Sequence, residues 1–279
     1  MQFISGLICL VLLMSVSGRK LQCEYNSREY QVVLDPEILS GSKSFSDGVG
    51  MVIDALTTIE RNGTLDFSVS RSSLQFSEVT TFRYFARNRA DLQFPIKMKS
   101  RQKKINQPAD FVLKFSHPDP TLACVPLTVT KKYNDVTESK FELDFHAYNG
   151  KITAKSAMSY AVADPNILGL NQNSSVDVSS IFSNLAKEIT VSGNNIIADP
   201  FGSGVQVTAE FTMKIHGEKL KGTVLLLDIG DRRKAEFSFR IKGDDVNADV
   251  LSTAQEFVAQ VSMIPSIILL SENTGVCDD

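Results

Sequence analysis

Hydrophobic residues recur along this chain at two spacings, one of period 3.6 and one of period 2, and each predicts a different element. At helical spacing, Val49, Val52, Ile53, Leu56 and Ile59 form one face, with Ser46 or Asp47 as the cap and Asn62-Gly63 as the stop. A second such face runs Val178, Ile181, Phe182, Leu185 and Ile189, capped by Asp177 and stopped by Gly193. A third begins at Asp245, carries Val246, Val250, Leu251, Ala254, Phe257, Val258 and Val261, and ends at Pro265. Between the helices the alternation is strict. Val205, Val207, Ala209, Phe211, Met213 and Ile215 occupy every second position of one long strand, with polar residues between them. Thr223 to Ile229 and Lys234 to Lys242 flank Gly230-Asp231-Arg232-Arg233 as a hairpin that points Ala235, Phe237, Phe239 and Ile241 inward.

The first half repeats the theme at Leu92, Phe94, Ile96 and Met98, and again at Phe141, Leu143, Phe145 and Ala147. Asn149-Gly150 then reads as a two-residue hairpin turn leading to Ile152, Ala154, Met158 and Tyr160. Further strands are expected at Phe111 to Phe115 and Val125 to Tyr133. One helix followed by antiparallel strands, used twice, predicts an α+β fold of two lobes, each a helix on a curved sheet, with a C-terminal helix. The lobes are expected at 19–165 and 176–265, with a tail over 266–279 and a boundary in the Pro-, Gly- and Asn-rich Val162 to Ser175.

Residues 1–18 read as a secretory signal peptide, because the apolar run from Leu7 to Met14 is followed by small residues and is shorter than the ~20 residues of a membrane-spanning helix. Secretion predicts an extracellular, disulfide-permissive setting without stable membrane insertion. Cys9 falls in that segment, leaving Cys23, Cys124 and Cys277, an odd number from which spacing selects no pair. Asn62-Gly63-Thr64 and Asn173-Ser174-Ser175 are glycosylation sequons expected in exposed loops. The chain has 279 residues, a formal charge of −3 and a pI of about 5.7, a balance that argues against nucleic acid as a partner.

No G-x-S-x-G, H-E-x-x-H or P-loop run occurs, so serine hydrolase, zincin and nucleotide-loop chemistry lack their local signatures. Glu142, Asp144 and His146 share one strand face that alternation assigns to solvent, a set able to contribute metal ligands but more simply a wet face. Lys97, Lys99, Arg101, Lys103 and Lys104 form a basic run, with Lys97 and Lys99 placed outward as protection of a sheet edge. His117 precedes a proline in a turn, and His216 ends a strand.

The run Ile181-Phe182-Ser183-Asn184-Leu185, Ser192-Gly193-Asn194, Asp199-Pro200-Phe201 and the strand at Val205 resembles the opening of small secreted nematode NTF2-like proteins, cone-shaped α+β folds akin also to the cystatin-like group. The resemblance implies a cone with an apolar interior. Enzymes of that group place an Asp–His pair in the cone, whereas Asp144 and His146 fall on the outward face here. The expectation is therefore a non-enzymatic secreted protein, without cofactor or metal, that binds a small apolar ligand or an extracellular protein through Phe141, Phe145, Phe211, Met213, Phe237 and Phe239. A hydrolase or isomerase with its site in a cone, or a structural assembly protein, are the alternatives. Asp144 and His146 turned into a cavity would favour the enzyme.

Overall fold

Ser44 opens the main helix with a reciprocal cap: its hydroxyl accepts the Asp47 N–H while the Asp47 carboxylate accepts the Ser44 N–H. In this computed structural model the described residues are 23–40, 44–77, 80–87, 96–102, 109–130, 136–163, 175–188, 196–230, 232–243 and 246–268. Along them run β1 (Ser27–Leu34), α1 (Glu37–Ser40), α2 (Phe45–Asn62), β2 (Phe67–Phe76), β3 (Thr80–Arg87), β4 (Ile96–Gln102), β5 (Asp110–His117) and α3 (Pro120–Ala123). They continue with β6 (Val136–Tyr148), β7 (Lys151–Ala163), β8 (Val176–Asp177), α4 (Val178–Ile181), α5 (Leu185–Glu188), β9 (Ile197–Ile215), β10 (Glu218–Ile229), β11 (Arg232–Lys242) and α6 (Ala248–Val261).

All eleven strands belong to one sheet, and nine of them close on themselves in the order β3-β4-β5-β7-β6-β1-β11-β10-β9. Closure depends on the length of β9. Its Ala198–Gln206 stretch pairs with β3 on one edge, while Val205–Asp228 begins its pairing with β10 on the other. Further along that first edge, Ala209–Ile215 pairs with β2, which lies outside the closed ring. Every strand pair is antiparallel except β1–β6, so β1 is inserted beside strands far from it in sequence.

This arrangement corrects the expected two-lobe α+β fold. Strands from both halves alternate around one barrel, with β1 between β11 and β6 and β9 against β3. The second expected helix is two short turns, α4 and α5, because Phe182 is extended and its ring is buried instead of continuing the helical face. Asp177 does cap that segment, accepting the Ser179 N–H at 3.0 Å. The C-terminal helix starts at Ala248 with Asn247 as its cap. Of the expected strand from Val125, the described residues hold only the bridge Val129–Phe182.

Two turns are as tight as backbone geometry allows. Asn149 and Gly150 both have positive φ, at 47° and 74°, the mirror-image turn expected between β6 and β7. His216 and Gly217 repeat it between β9 and β10, with φ of 48° and 74°. His216 tolerates that conformation because its ring is held at both ends, Nδ1 lying 3.1 Å from Asp66 Oδ2 and Nε2 2.8 Å from Thr253 Oγ1.

The apolar faces of the strands turn away from the barrel axis. One cluster joins Tyr30, Val32, Leu34, Phe145, Phe211, Met213, Phe237 and Phe239 to the buried faces of α2 and α6. Phe257 of α6 sits at its centre, 4.1 Å from the Phe67 ring and 5.8 Å from Phe239. A second cluster covers the outer faces of β4, β5 and β7 with Val178, Ile181, Phe182 and Leu185. Helix α2 is pressed so closely on α1 that a Cβ at Gly48 would lie 2.0 Å from the Ile38 carbonyl oxygen, whereas one at Gly50 would meet nothing within 4 Å. Gly→Ala in a helix ordinarily stabilises by up to ~1 kcal/mol. Gly50→Ala is expected to follow that rule, and Gly48→Ala to destabilise by roughly 1–3 kcal/mol through the clash. Chemical denaturation of both variants checks this, and equal midpoints would refute the close contact.

Candidate functional site

A closed sheet whose apolar faces all point outward must place its polar faces on the axis, and here those faces are charged. Alternation on β1 sets Tyr30 and Val32 outward and Glu29 inward; on β6 it sets Phe141, Phe145 and Ala147 outward and Glu142, Asp144 and His146 inward. From β4 and β5 come Lys99, Arg101 and Lys114, and from β11 come Glu236 and Arg240. Lys99 senses the charges of Glu29 and Glu236, although β4 lies well around the ring from β1 and β11. Only convergence across a lumen brings those strands together.

The acidic groups gather on one wall. One carboxylate oxygen each from Glu29, Glu142 and Asp144 lies within 4.8 Å of the others. Ser27 Oγ donates to Glu142 Oε1 at 2.7 Å. Arg240 Nη2 is 3.2 Å from Glu29 Oε2, and its Nε is 3.0 Å from Glu142 Oε1 but off the line of the N–H, an ion pair without an aligned hydrogen bond. Lys114 Nζ reaches Asp144 Oδ2 at 2.6 Å from two strands away, passing over β7, where Ala157 and Ser159 are small enough to leave room. Asp144 is 3% exposed, and its second oxygen, Oδ1, has no hydrogen-bond partner.

These surroundings move protons in opposite directions. Burial pushes the Glu29 carboxyl up despite Arg240 beside it. Burial is the largest influence on Lys114 and pulls its amine down, but the charge and hydrogen bond of Asp144, with the charges of Glu29 and Glu142, together outweigh it and hold the amine above the usual lysine range. Burial pushes His146 down, against the charges of Asp144 and Glu236, and so favours its neutral imidazole. At Lys99 burial acts first and the cations Arg101 and Lys114 act with it, pulling the amine down to about 8 against Glu236 and Glu29.

The expected site residues fall elsewhere. Phe145, Phe211, Met213, Phe237 and Phe239 are core side chains packed on α2 and α6, and Phe141 is buried against Tyr25, their rings stacked at 4.6 Å. Asn62 is exposed at the end of α2, next to left-handed Gly63. Cys23 and Cys124 form a disulfide. Asn173, Cys277, the 1–18 segment and the basic residues Lys103 and Lys104 lie outside the described residues. His117, expected in a turn, is the last residue of β5, paired with Ser156, and its Nδ1 accepts the Asp119 N–H.

The placement of Glu142, Asp144 and His146 on a solvent-facing surface is corrected, as is that of Lys99 at a sheet edge: β4 is flanked by β3 and β5, and the shared polar face is the lumen. With it falls the expectation of a non-enzymatic binder for an apolar ligand, because the side chains facing the axis include a cluster of carboxylates, several cations and an imidazole. Sequence reasoning missed Glu29, Lys114 and Arg240. Their signal was the same alternation, read with the opposite face as interior.

No family model and no curated protein matches the sequence. Among solved structures, the chain is similar to HpAC1 from Hippeastrum, named for adenylyl cyclase and described as having a dominant triphosphatase activity, at 12% identity and a TM-score of 0.43 over 85% of this chain and 88% of that one. It is also similar to the S. pombe Pct1 RNA triphosphatase in complex with the Spt5 CTD, at 10% identity and a TM-score of 0.29 over 86% and 77%.

Proposed function

We propose that this chain is a secreted, divalent-cation-dependent hydrolase of phosphate esters or anhydrides, with its site in the barrel lumen. One observation carries the reading: the buried Glu29–Glu142–Asp144 cluster, with Asp144 Oδ1 left unpartnered, shares a lumen with the cations Lys99, Arg101 and Lys114. Each buried charge costs several kcal/mol of desolvation, and an orphaned carboxylate oxygen adds to that cost. Apolar side chains would fill a purely structural lumen at less expense. A site that must hold a cation and an anion together accounts for both signs of charge.

Oxygen-only ligands suit hard cations such as Mg²⁺, Mn²⁺ or Ca²⁺, so Glu29, Glu142 and Asp144 would hold the ion. A bound divalent cation supplies charge neutralisation at phosphoryl oxygens. Lys99, Arg101 and Lys114 attract and orient the anionic substrate, as in other phosphoryl-transfer sites. His146, kept neutral two residues along from Asp144, offers an acceptor nitrogen for a water proton. The barrel wall limits the approach of bulk solvent and strengthens each of these interactions.

Secretion is supported by the apolar N-terminal segment, by the Cys23–Cys124 disulfide and by the exposed sequon at Asn62. The test uses the mature chain secreted from eukaryotic cells. Phosphate release from tripolyphosphate, pyrophosphate and ATP is measured with Mg²⁺, Mn²⁺ or Ca²⁺ and with chelator. Release that needs the cation is expected. No release from any of them, together with a melting temperature unmoved by the cations, overturns the reading.

A further inference from the structure

Lys99 differs from every other lumen cation for which a partner has been given. Lys114 is paired to Asp144, Arg240 to Glu29 and Glu142, and Arg101 to Asp110 at 3.2 Å. Among the described residues no carboxylate lies within ion-pair distance of the Lys99 amine. It is nonetheless not sealed off, since Lys99 keeps part of its surface accessible. Around it stand Arg101 on its own strand, Lys114 on β5, Tyr84 directly opposite on β3, and Glu236 and Glu29 across the lumen.

An enclosed amine with no counter-ion among the described residues, flanked by two other cations, is the setting in which lysine becomes a nucleophile. We propose that Lys99 is a second reactive centre of the lumen, an amine that condenses with phosphorylated aldehydes and related anionic carbonyl compounds. The phosphate is drawn to Arg101 and Lys114, which leaves the carbonyl carbon beside Nζ. The nitrogen lone pair forms the C–N bond as the carbonyl π pair moves to oxygen. The nitrogen passes its two protons in turn to that oxygen, the nitrogen lone pair forms the C=N bond as the C–O bond breaks, and water leaves to give an imine. The neutral amine required is present at mildly alkaline pH, because burial and the neighbouring cations hold Lys99 near 8. This deepens the lumen reading and rests on the lumen being accessible to anions, not on hydrolysis.

Pyridoxal 5′-phosphate is the probe, trapped by borohydride on the full mature chain and located by peptide mass spectrometry. Lys99 is expected to label at least tenfold faster than the exposed Lys219 and Lys221, faster as pH rises through about 8, and tenfold slower with unphosphorylated pyridoxal. Tripolyphosphate should protect it. The variant Lys99→Arg keeps the charge and should lose the fast phase, with circular dichroism confirming the fold. Labelling spread evenly over surface lysines, or equal rates with and without the phosphate, overturns the proposal. Fast labelling in a chain that releases no phosphate would retain Lys99 as a nucleophile and sink the hydrolase instead.

Discussion

Asp144→Asn is expected to lower phosphate release by roughly a hundredfold to a thousandfold while leaving the barrel folded. The substitution keeps the side chain's shape, but it removes the charge that faces Glu29 and Glu142 and puts an amide where a carboxylate oxygen met Lys114 at 2.6 Å. A cation site built from three carboxylates loses a third of its charge. The fold should feel it too, since Lys114 is left in the lumen without its counter-ion. A truncated buried pair costs up to ~3–5 kcal/mol. Lys114 keeps about a quarter of its side chain accessible, at 27%, so screening should reduce the loss to about 2 kcal/mol. In the unaltered chain the Lys114 folded-state value is raised, so the pair's contribution is complete below pH 10.5 and fades only as pH climbs through that raised value. Asp144→Asn should abolish that high-pH dependence. Adding Lys114→Met should restore stability without restoring activity, and a double-mutant cycle on melting temperature and turnover separates the two roles. Asp144→Asn with full turnover would remove Asp144 from the chemistry.

Single elements of this fold were legible, residue by residue, while its architecture was not, and the site was legible in the same letters with the wrong sign. The helix over Val49–Ile59 and its Gly63 stop follow from local spacing, as does the Asn149-Gly150 turn, because these depend only on a few adjacent residues, although the cap is Ser44, with Asp47 three residues on, rather than the expected Ser46 or Asp47. Strand alternation was equally visible at Phe141–Ala147 and Val205–Ile215. What period 2 leaves undetermined is which face closes inward. In a cone or sandwich the apolar face is interior; in a closed ring wrapped by helices it is exterior, and Phe211, Phe237 and Phe239 pack on α2 and α6 while Glu142 and Asp144 line the axis. Closure itself is a long-range fact. It rests on β1 entering between β6 and β11 and on one nineteen-residue strand serving β3, β2 and β10 at different points along its length, and no local signal carries either.

The double variant Cys23→Ser/Cys124→Ser is expected to be the most damaging change outside the core, at about 4–5 kcal/mol. The bond joins residues 101 apart, and closing so long a loop removes much entropy from the unfolded chain. At roughly 2–4 °C per kcal/mol for a chain of this size, the melting temperature should fall by about 10–15 °C. The native segment it anchors is also held without it. The Tyr25 ring stacks on Phe141 and its hydroxyl shares a 2.7 Å hydrogen bond with Ser156. Asn26 donates its N–H to the Phe141 carbonyl at 2.7 Å and accepts the Phe141 N–H on its side chain at 2.8 Å. Those contacts set the start of β1 beside β6, and Glu29 three residues later enters the acidic cluster from that register. Turnover well below the melting point should therefore persist in the double variant, whereas heat resistance should not. The single variant Cys124→Ser is a poor substitute, because it frees Cys23 to pair with Cys277. Thermal unfolding of the mature chain with and without reductant gives the same comparison without mutation. A melting temperature indifferent to both would mean that the strap's noncovalent contacts, rather than the covalent loop, hold β1 in the barrel.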